Sequence, residues 1–164
     1  MEAKSIEEVA KMAAKEAVSE MKKQEKKERK ATIFQNTKVL MENYNRMVKS
    51  VQEGISDLSD LTDESIEGLE EGENLFVESI LRSKIRSLVM LAHIDKCLTM
   101  LENEEYDVGT PEKYLAFRYH YLDGMTYESI SEVYNYSERT ARRWVSELTN
   151  KMSIYLFGVD ALLF

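Results

Sequence analysis

The fold is decided by TYESISEVYNYSERTARRWVSEL, which runs from Thr126 to Leu148. Threonine is a common helix N-cap, so Thr126 is expected to begin a short helix. Asn135 tolerates a left-handed backbone and can end that helix in a sharp turn. Ser137 is then placed to cap a second helix. Two short helices joined by a tight turn form a helix-turn-helix motif.

The spacing of the apolar residues also favours this motif. The first helix is expected to bury Ile130 together with Val133 or Tyr134. A helix-turn-helix further needs a small residue where the helices cross, a turn former, and apolar residues beyond the turn. The chain has all of these at the required spacing from Ile130: Ser131, Asn135, Tyr136, Ala141 and Trp144. The second helix is expected to bury one face, made of Ala141, Trp144, Val145 and Leu148.

The second helix directs its polar side chains away from this apolar face. The N-terminal part of a recognition helix meets base edges in the major groove, where Arg can bind guanine O6 and N7 together. Glu138 could accept a hydrogen bond from a cytosine amine or only interact with the helix dipole. The alternative is that three arginines form a solvated face. The candidate DNA-binding residues are Thr126, Ser137, Glu138, Arg139, Thr140, Arg142 and Arg143.

Residues 112–148 resemble the region of sigma-70-type factors that reads the −35 promoter element. With NTKVLMENYNRM (36–47) and SIYLFGVDALLF (153–164), the whole chain is similar to the ArpU/RinA-type regulators of Gram-positive phages and prophages. The resemblance implies binding to phage promoter DNA and activation of late genes. The chain lacks a complete set of the polymerase-binding regions of a sigma factor. It is therefore expected to act with the host RNA polymerase and that polymerase's own sigma factor.

The rest of the chain has the pattern of long helices. The first fifty residues contain neither Gly nor Pro, which predicts one or two helices. A stripe of mostly small residues from Ile6 to Met21 is too weak for a core, whereas larger residues repeat at helical spacing from Ile33 to Ile55. Another stripe, from Phe76 to Leu101, predicts a helix ending near Glu102. No strand pattern is found, so the predicted fold class is all-α.

Charge is strongly segregated along the chain. The 164 residues include 22 Lys and Arg and 30 Asp and Glu, which gives a net charge of −8. Residues 53–78 hold ten of the acidic residues and no basic one, so the remaining chain carries 22 basic and 20 acidic residues. An acidic chain can bind a polyanion only when its basic residues are clustered. The overall acidity therefore does not exclude DNA.

The predicted organisation has two parts, an N-terminal helical region over 1–105 and a helix-turn-helix domain over 110–164. Between them, Thr110 is expected to cap a helix that Pro111 begins. The stretch 53–74 is interpreted as an acidic linker or frayed helical turn, with docking on polymerase or on the arginines as alternatives. The basic run 22–30 is expected to be solvated or to touch phosphates. The apolar tail after Ile154 is expected to pack on the motif or on a second subunit.

Several other classes of function find no support in the sequence. Cys97 is the only cysteine, so no intramolecular disulfide can form and a cytoplasmic setting is expected. The resemblance to phage regulators implies that this is the cytoplasm of a bacterial host. His93 and Cys97 lie four residues apart, but no second pair exists to complete a zinc site. No membrane span, phosphate-binding glycine loop or catalytic triad is found. We therefore expect no metal, no cofactor and no enzymatic activity.

The sequence thus predicts a DNA-binding transcription regulator with two rival interpretations. Because one such module buries little surface, a dimer or help from polymerase is expected for tight binding. A small terminase subunit would also join a helix-turn-helix to oligomerising helices, but as a closed ring on packaging DNA. A protein-interaction module would instead offer its arginines to an acidic protein and would not bind DNA.

Overall fold

A computed structural model describes the backbone of residues 6–59, 71–158 and 161, and the side chains of 11–54, 75–158 and 161. The regular elements within these ranges are all helices, so the prediction of an all-α fold is confirmed. In chain order they are α1 (Ile6–Glu42), α2 (Tyr44–Ser59), α3 (Glu71–Val108), α4 (Pro111–Tyr121), α5 (Tyr127–Tyr134) and α6 (Glu138–Phe157).

The glycine- and proline-free N-terminal segment forms two helices that meet at Asn43. The Asn43 side-chain amide donates to the carbonyl of Val39 at 2.8 Å, and its backbone N–H contacts the same carbonyl at 3.2 Å. Such a local side-chain bond competes with the regular helix ladder. All residues from Lys11 to Thr32 are exposed, whereas Ile33, Thr37 and Met41 are buried. The end of α1 therefore anchors this long helix.

Helix α2 lies along α3 and is tied to it by polar contacts. Lys84 Nζ donates to the Ser50 carbonyl at 2.8 Å and to Ser50 Oγ at 2.6 Å. The Tyr44 hydroxyl donates to Asp95 Oδ1 at 2.6 Å, and burial together with this bond raises the pKa of Tyr44 to about 12. Of the predicted connector, 53–59 and 71–74 are helical and 60–70 lie outside the described residues.

The corner between α3 and α4 differs from the prediction in two respects. Helix α3 continues to Val108, beyond the expected end near Glu102. Pro111 does begin α4, but Thr110 makes no side-chain capping bond. Its hydroxyl donates instead to Glu105 Oε2 at 2.7 Å. The physical reason is that the Glu105 side chain, 1% exposed, requires hydrogen-bond donors inside the fold.

A single cluster of buried side chains joins α1, α3, α4, α5 and α6, with α6 packed against each of the other four. Phe117 of α4, Ile130 of α5 and Leu148 of α6 are at most 1% exposed. Met41 brings α1 into the same cluster, and Ile94 and Leu101 bring α3. One continuous core is therefore shared by the helices before and after the turn at 109–110, while Gly109 itself is exposed.

A partly buried ionic network fixes α6 to the end of α3. Lys151 Nζ bonds Glu104 at 2.9 Å and also bonds Glu105, and the Tyr155 hydroxyl donates to Glu104. Burial alone would lower the pKa of Lys151, but its two carboxylate partners outweigh burial and raise it. The bonds from Tyr155 and Lys151 lower the pKa of Glu104, and the bond to Glu104 raises that of Tyr155 to about 12.

The segment after α6 is described only in part. Tyr155 and Leu156 pack against the core, and Ala161 is 8% exposed. Part of the predicted apolar tail thus packs on the helices, whereas 159–160 and 162–164 lie outside the described residues. Within the described ranges, none of the helices combines the length and apolar character needed to cross a bilayer.

Candidate nucleic-acid interface

Helix α5 begins as its first residues predict. Thr126 has an extended backbone (φ −74°, ψ 157°), and its hydroxyl accepts from the Ser129 N–H at 3.2 Å. The cap satisfies one of the N–H groups that a helix start leaves without a partner, and Glu128 lies in the first turn, where negative charge is favourable. Ile130 is 1% exposed. The start of α5 is therefore locally determined.

The turn between α5 and α6 depends on Asn135. Its backbone is left-handed (φ 54°, ψ 39°), and no other non-glycine residue of the described chain has a positive φ. The next residue, Tyr136, donates its N–H to the Ser131 carbonyl at 3.1 Å, which closes the end of α5. The left-handed turn predicted at Asn135 is present.

The start of α6 is fixed by a second cap. Ser137 is extended (φ −74°, ψ 149°), and its hydroxyl accepts from the Thr140 N–H at 3.2 Å. The hydroxyls of Ser137 and Thr140 also bond each other at 2.9 Å. Two of the candidate DNA-binding residues, Ser137 and Thr140, thus take part in the cap. Ser137 remains exposed, and Thr140 is half-buried.

The faces of the two helices divide largely as predicted. Val133 and Tyr134 were alternatives for burial; Val133 is 57% exposed, and Tyr134 packs on the core with its ring 6.3 Å from that of Tyr119. Tyr136 is 49% exposed but contacts Trp144 edge-on, with 4.8 Å between ring centroids. The predicted buried residues of α6 are all buried: Ala141, Trp144, Val145 and Leu148.

Arg142 is held in place by two neighbours. Its Nε donates to Glu138 Oε1 at 3.0 Å, and its Nη2 bonds the same oxygen. The guanidinium carbon lies 4.5 Å from the centre of the Tyr127 ring, within the range of a cation–π contact. Glu138 therefore acts here as a partner of Arg142. The contact with Tyr127 also brings the start of α5 beside the first half of α6.

Arg139 and Arg143 are in a different situation from Arg142. Both are exposed on the same helix, and neither has an ion pair or hydrogen bond to another described side chain. Their guanidinium groups can therefore bind an outside acceptor without first breaking an internal bond. Arg can bind a phosphate or a guanine edge with two parallel hydrogen bonds.

Two further residues of this site, Tyr127 and His120, were not among the candidate DNA-binding residues. Tyr127 stacks on His120, with ring centroids 4.3 Å apart, and its hydroxyl lies 3.1 Å from His120 Nε2. His120 Nδ1 lies 3.3 Å from the Met125 carbonyl, and burial lowers the pKa of this imidazole despite that bond. The sequence does show that tyrosines are concentrated between residues 106 and 155. No rule of sequence spacing, however, predicts that Tyr127 contacts Arg142.

His93 and Cys97, the two residues considered as metal ligands, lie in different environments. Cys97 is 2% exposed in the core, where burial raises the pKa of its thiol, and His93 is exposed. Cys97 Sγ and His93 Nε2 lie 3.9 Å apart. His93 therefore lies outside the core. Among the side chains that the structure describes, no group of three His, Cys, Asp or Glu could hold a metal ion.

Comparison of the chain with protein-family models, with curated proteins and with solved structures gives no match. The arrangement of α5, the turn and α6 therefore has to be interpreted from its own geometry and chemistry.

Proposed function

We propose that this protein is a sequence-specific DNA-binding transcription regulator of the ArpU/RinA type. It would act at phage or prophage promoters, activate late genes and contact the host RNA polymerase, without catalysing a reaction. The observation that carries the proposal is the start of α6, a capped helix end at which Arg139 and Arg143 are exposed and have no ion pair or hydrogen bond to another described side chain. The resemblance of residues 112–148 to the promoter-reading region of sigma-70-type factors supports it further.

The geometry fits a helix that enters the major groove. Recognition helices use their N-terminal residues on base edges, and the positive end of the helix dipole favours nearby phosphates. Arg139 lies in the first turn of α6 and Arg143 one turn later, so their side chains project from one face of the helix. We assign these two arginines to bases and adjacent phosphates.

Arg142 has a more restricted part in this proposal. Arg142 can contact DNA only if its guanidinium shares its hydrogen bonds between Glu138 and the DNA, or gives up Glu138. The contact with Tyr127 keeps this guanidinium beside the start of α5. A base contact by Arg142 should contribute roughly 1–3 kcal/mol of discrimination. Arg142→Ala should then weaken binding to the cognate site and hardly affect binding to random DNA. Equal losses on both would place Arg142 among the phosphate contacts.

The acidity of the chain bears on nonspecific binding. Nonspecific affinity for DNA comes from cations that neutralise phosphates, and this chain has a net charge of −8. We therefore expect weak nonspecific binding and strong reliance on the arginines of α6. A dimer that reads half-sites about 10 base pairs apart would add the surface that one module lacks.

The test is in vitro selection of duplex DNA, followed by anisotropy titrations on the selected and a scrambled duplex. Arg139→Ala and Arg143→Ala should each weaken binding to the selected site. Arg86→Ala, which removes an exposed arginine of α3, is the matched control and should leave it unchanged. Affinity should fall with salt in proportion to the phosphates contacted.

Two outcomes would contradict the proposal. If no salt-dependent binding to any duplex is found, the arginine face serves a protein partner. If mass measurement in solution gives a closed ring that selects packaging-type sites, the protein is better explained as a small terminase subunit.

A further inference from the structure

The first half of α3 carries an apolar stripe that the folded chain leaves largely uncovered. Ile85, Leu88 and Val89 are 58%, 46% and 65% exposed. Leu81 is half-buried and Ala92 is exposed. These five positions follow one another at intervals of four, three, one and three residues, which places them on one face of a helix. We call this face the α3 stripe.

The α3 stripe is distinct from the face that α2 covers. Lys84 and Leu91 lie on the side of α3 turned towards its own chain, where Lys84 reaches Ser50 of α2. The far side of α3 is mixed, with Ser79, Ser83 and Arg86 beside Met90, which is 41% exposed. Five apolar side chains that follow one another on one face form a contiguous patch, which indicates an interaction surface.

The positions in the stripe are self-complementary when two copies of α3 run antiparallel. With the twofold axis near Ser87, Ile85 of one copy lies opposite Leu88 and Val89 of the other, and Leu81 lies opposite Ala92. Large residues meet each other at the centre, and a large residue meets a small one at each end. An interface made of the same patch on both subunits is the isologous type that closes as a dimer.

The charges that flank the stripe match in the same register. Glu78 and Lys96 lie on the same side of α3, about two and a half turns before and after the axis, and both are exposed. In the antiparallel pair, Glu78 of each copy lies opposite Lys96 of the other. Glu78 also pairs with Arg82 of its own helix at 3.2 Å, which leaves its second carboxylate oxygen available. A parallel pairing would put like charges together.

From this match in shape and charge we infer that the α3 stripe is the site at which a second copy of this chain binds, with the two α3 helices antiparallel about Ser87. Because each α3 already carries α2 on a neighbouring face, the dimer would bring four helices together. Antiparallel helices with apolar seams of this kind are the usual construction of four-helix bundles. The inference does not depend on DNA binding.

The first experiment measures the mass of the full chain in solution over a range of concentrations. The wild type should give a dimer, and Ile85→Glu should give a folded monomer, because a carboxylate would be buried at the centre of the seam. Met90→Glu is the matched control, since Met90 is 41% exposed and lies away from the stripe on the same helix. It should remain dimeric. Helix content and thermal unfolding of each variant establish that it is folded.

A charge exchange tests the register. Glu78→Lys and Lys96→Glu should each weaken the dimer by placing like charges opposite each other, and the double variant should restore it. The inference is overturned if the wild type is monomeric at every soluble concentration, if Ile85→Glu remains as dimeric as Met90→Glu, or if the double variant is as weak as the two single ones.

Discussion

Helix α6 and the first half of α1 are both uninterrupted helices, yet they differ in what they contact. α6 has seven buried residues and packs against four other helices. The part of α1 from Lys11 to Thr32 is exposed throughout. The difference lies in side-chain size, since α6 directs Trp144, Leu148 and Met152 inward, whereas the stripe of α1 has Ala13 and Ala17. Periodicity thus predicts a helix, and side-chain volume predicts whether it is buried.

The same contrast exists within α1 itself. At Ile33 the stripe gains large residues, and from there the helix joins the core through Thr37 and Met41. Thr37 bonds the Ile33 carbonyl at 3.0 Å, which satisfies its hydroxyl inside the fold. A single helix therefore contains one segment held by packing in the core and another that is exposed throughout.

The largest difference between the two regions should appear on large-to-small substitution. Phe117→Ala removes a ring that is 0% exposed and should lower the free energy of unfolding by about 3–5 kcal/mol. Met21→Ala, at a position 63% exposed on α1, should change it by less than about 0.5 kcal/mol. Urea unfolding of both variants measures this. A comparable loss for Met21→Ala would mean that the first half of α1 is packed in solution.

Breaking the ionic network should have the next largest effect. Lys151→Met leaves the Glu105 carboxylate, 1% exposed, without its cation and should lower the free energy of unfolding by about 3 kcal/mol. Lys113→Met is the matched control, because Lys113 pairs with the more exposed Glu147 and should contribute about 0–1 kcal/mol.

A second variant tests the reason for that loss. Adding Glu105→Gln to Lys151→Met removes the buried charge and should recover part of the stability. No recovery would show that Lys151 acts mainly through the packing of its alkyl chain.

A smaller effect is expected at the start of α6. Ser137→Ala removes the hydroxyl that accepts from the Thr140 N–H and should lower the free energy of unfolding by about 1 kcal/mol. Ser146→Ala, at an exposed position within the same helix, provides the comparison and should be nearly neutral. Thermal unfolding followed by circular dichroism distinguishes them, and equal values for the two would mean that the cap is dispensable.

What could be predicted from sequence was mostly local. The caps at Thr126 and Ser137 and the turn at Asn135 depend on residues within four positions, so residue type and spacing were enough. The contact of Arg142 with Tyr127 depends on how α5 packs on α6, and no local rule contains that information. Thr110 shows how a tertiary contact can change a local prediction. Its residue type and position favour a helix cap, but its hydroxyl bonds the buried Glu105 carboxylate instead.

The candidate site follows the same division. The exposed placement of Arg139, Arg142 and Arg143 was predicted from the buried face of α6, which periodicity defines. The sequence did not predict that Arg142 has internal partners while Arg139 and Arg143 have none among the described side chains, because one partner of Arg142 comes from another helix. Glu138 could have been foreseen as such a partner, since residues four apart on a helix form ion pairs.

The smallest effect is expected from weakening the exposed half of α1. Ala17→Gly should lower helix stability locally by about 1 kcal/mol. It should leave the global free energy of unfolding unchanged, because this segment can unfold without opening the core. Hydrogen exchange measures both quantities: amides of residues 11–30 should exchange quickly, and more so in the variant, while those of α6 stay protected. If residues 11–30 were as protected as α6, the helix would be packed against another surface, and exposure in the isolated chain would not describe its state in solution.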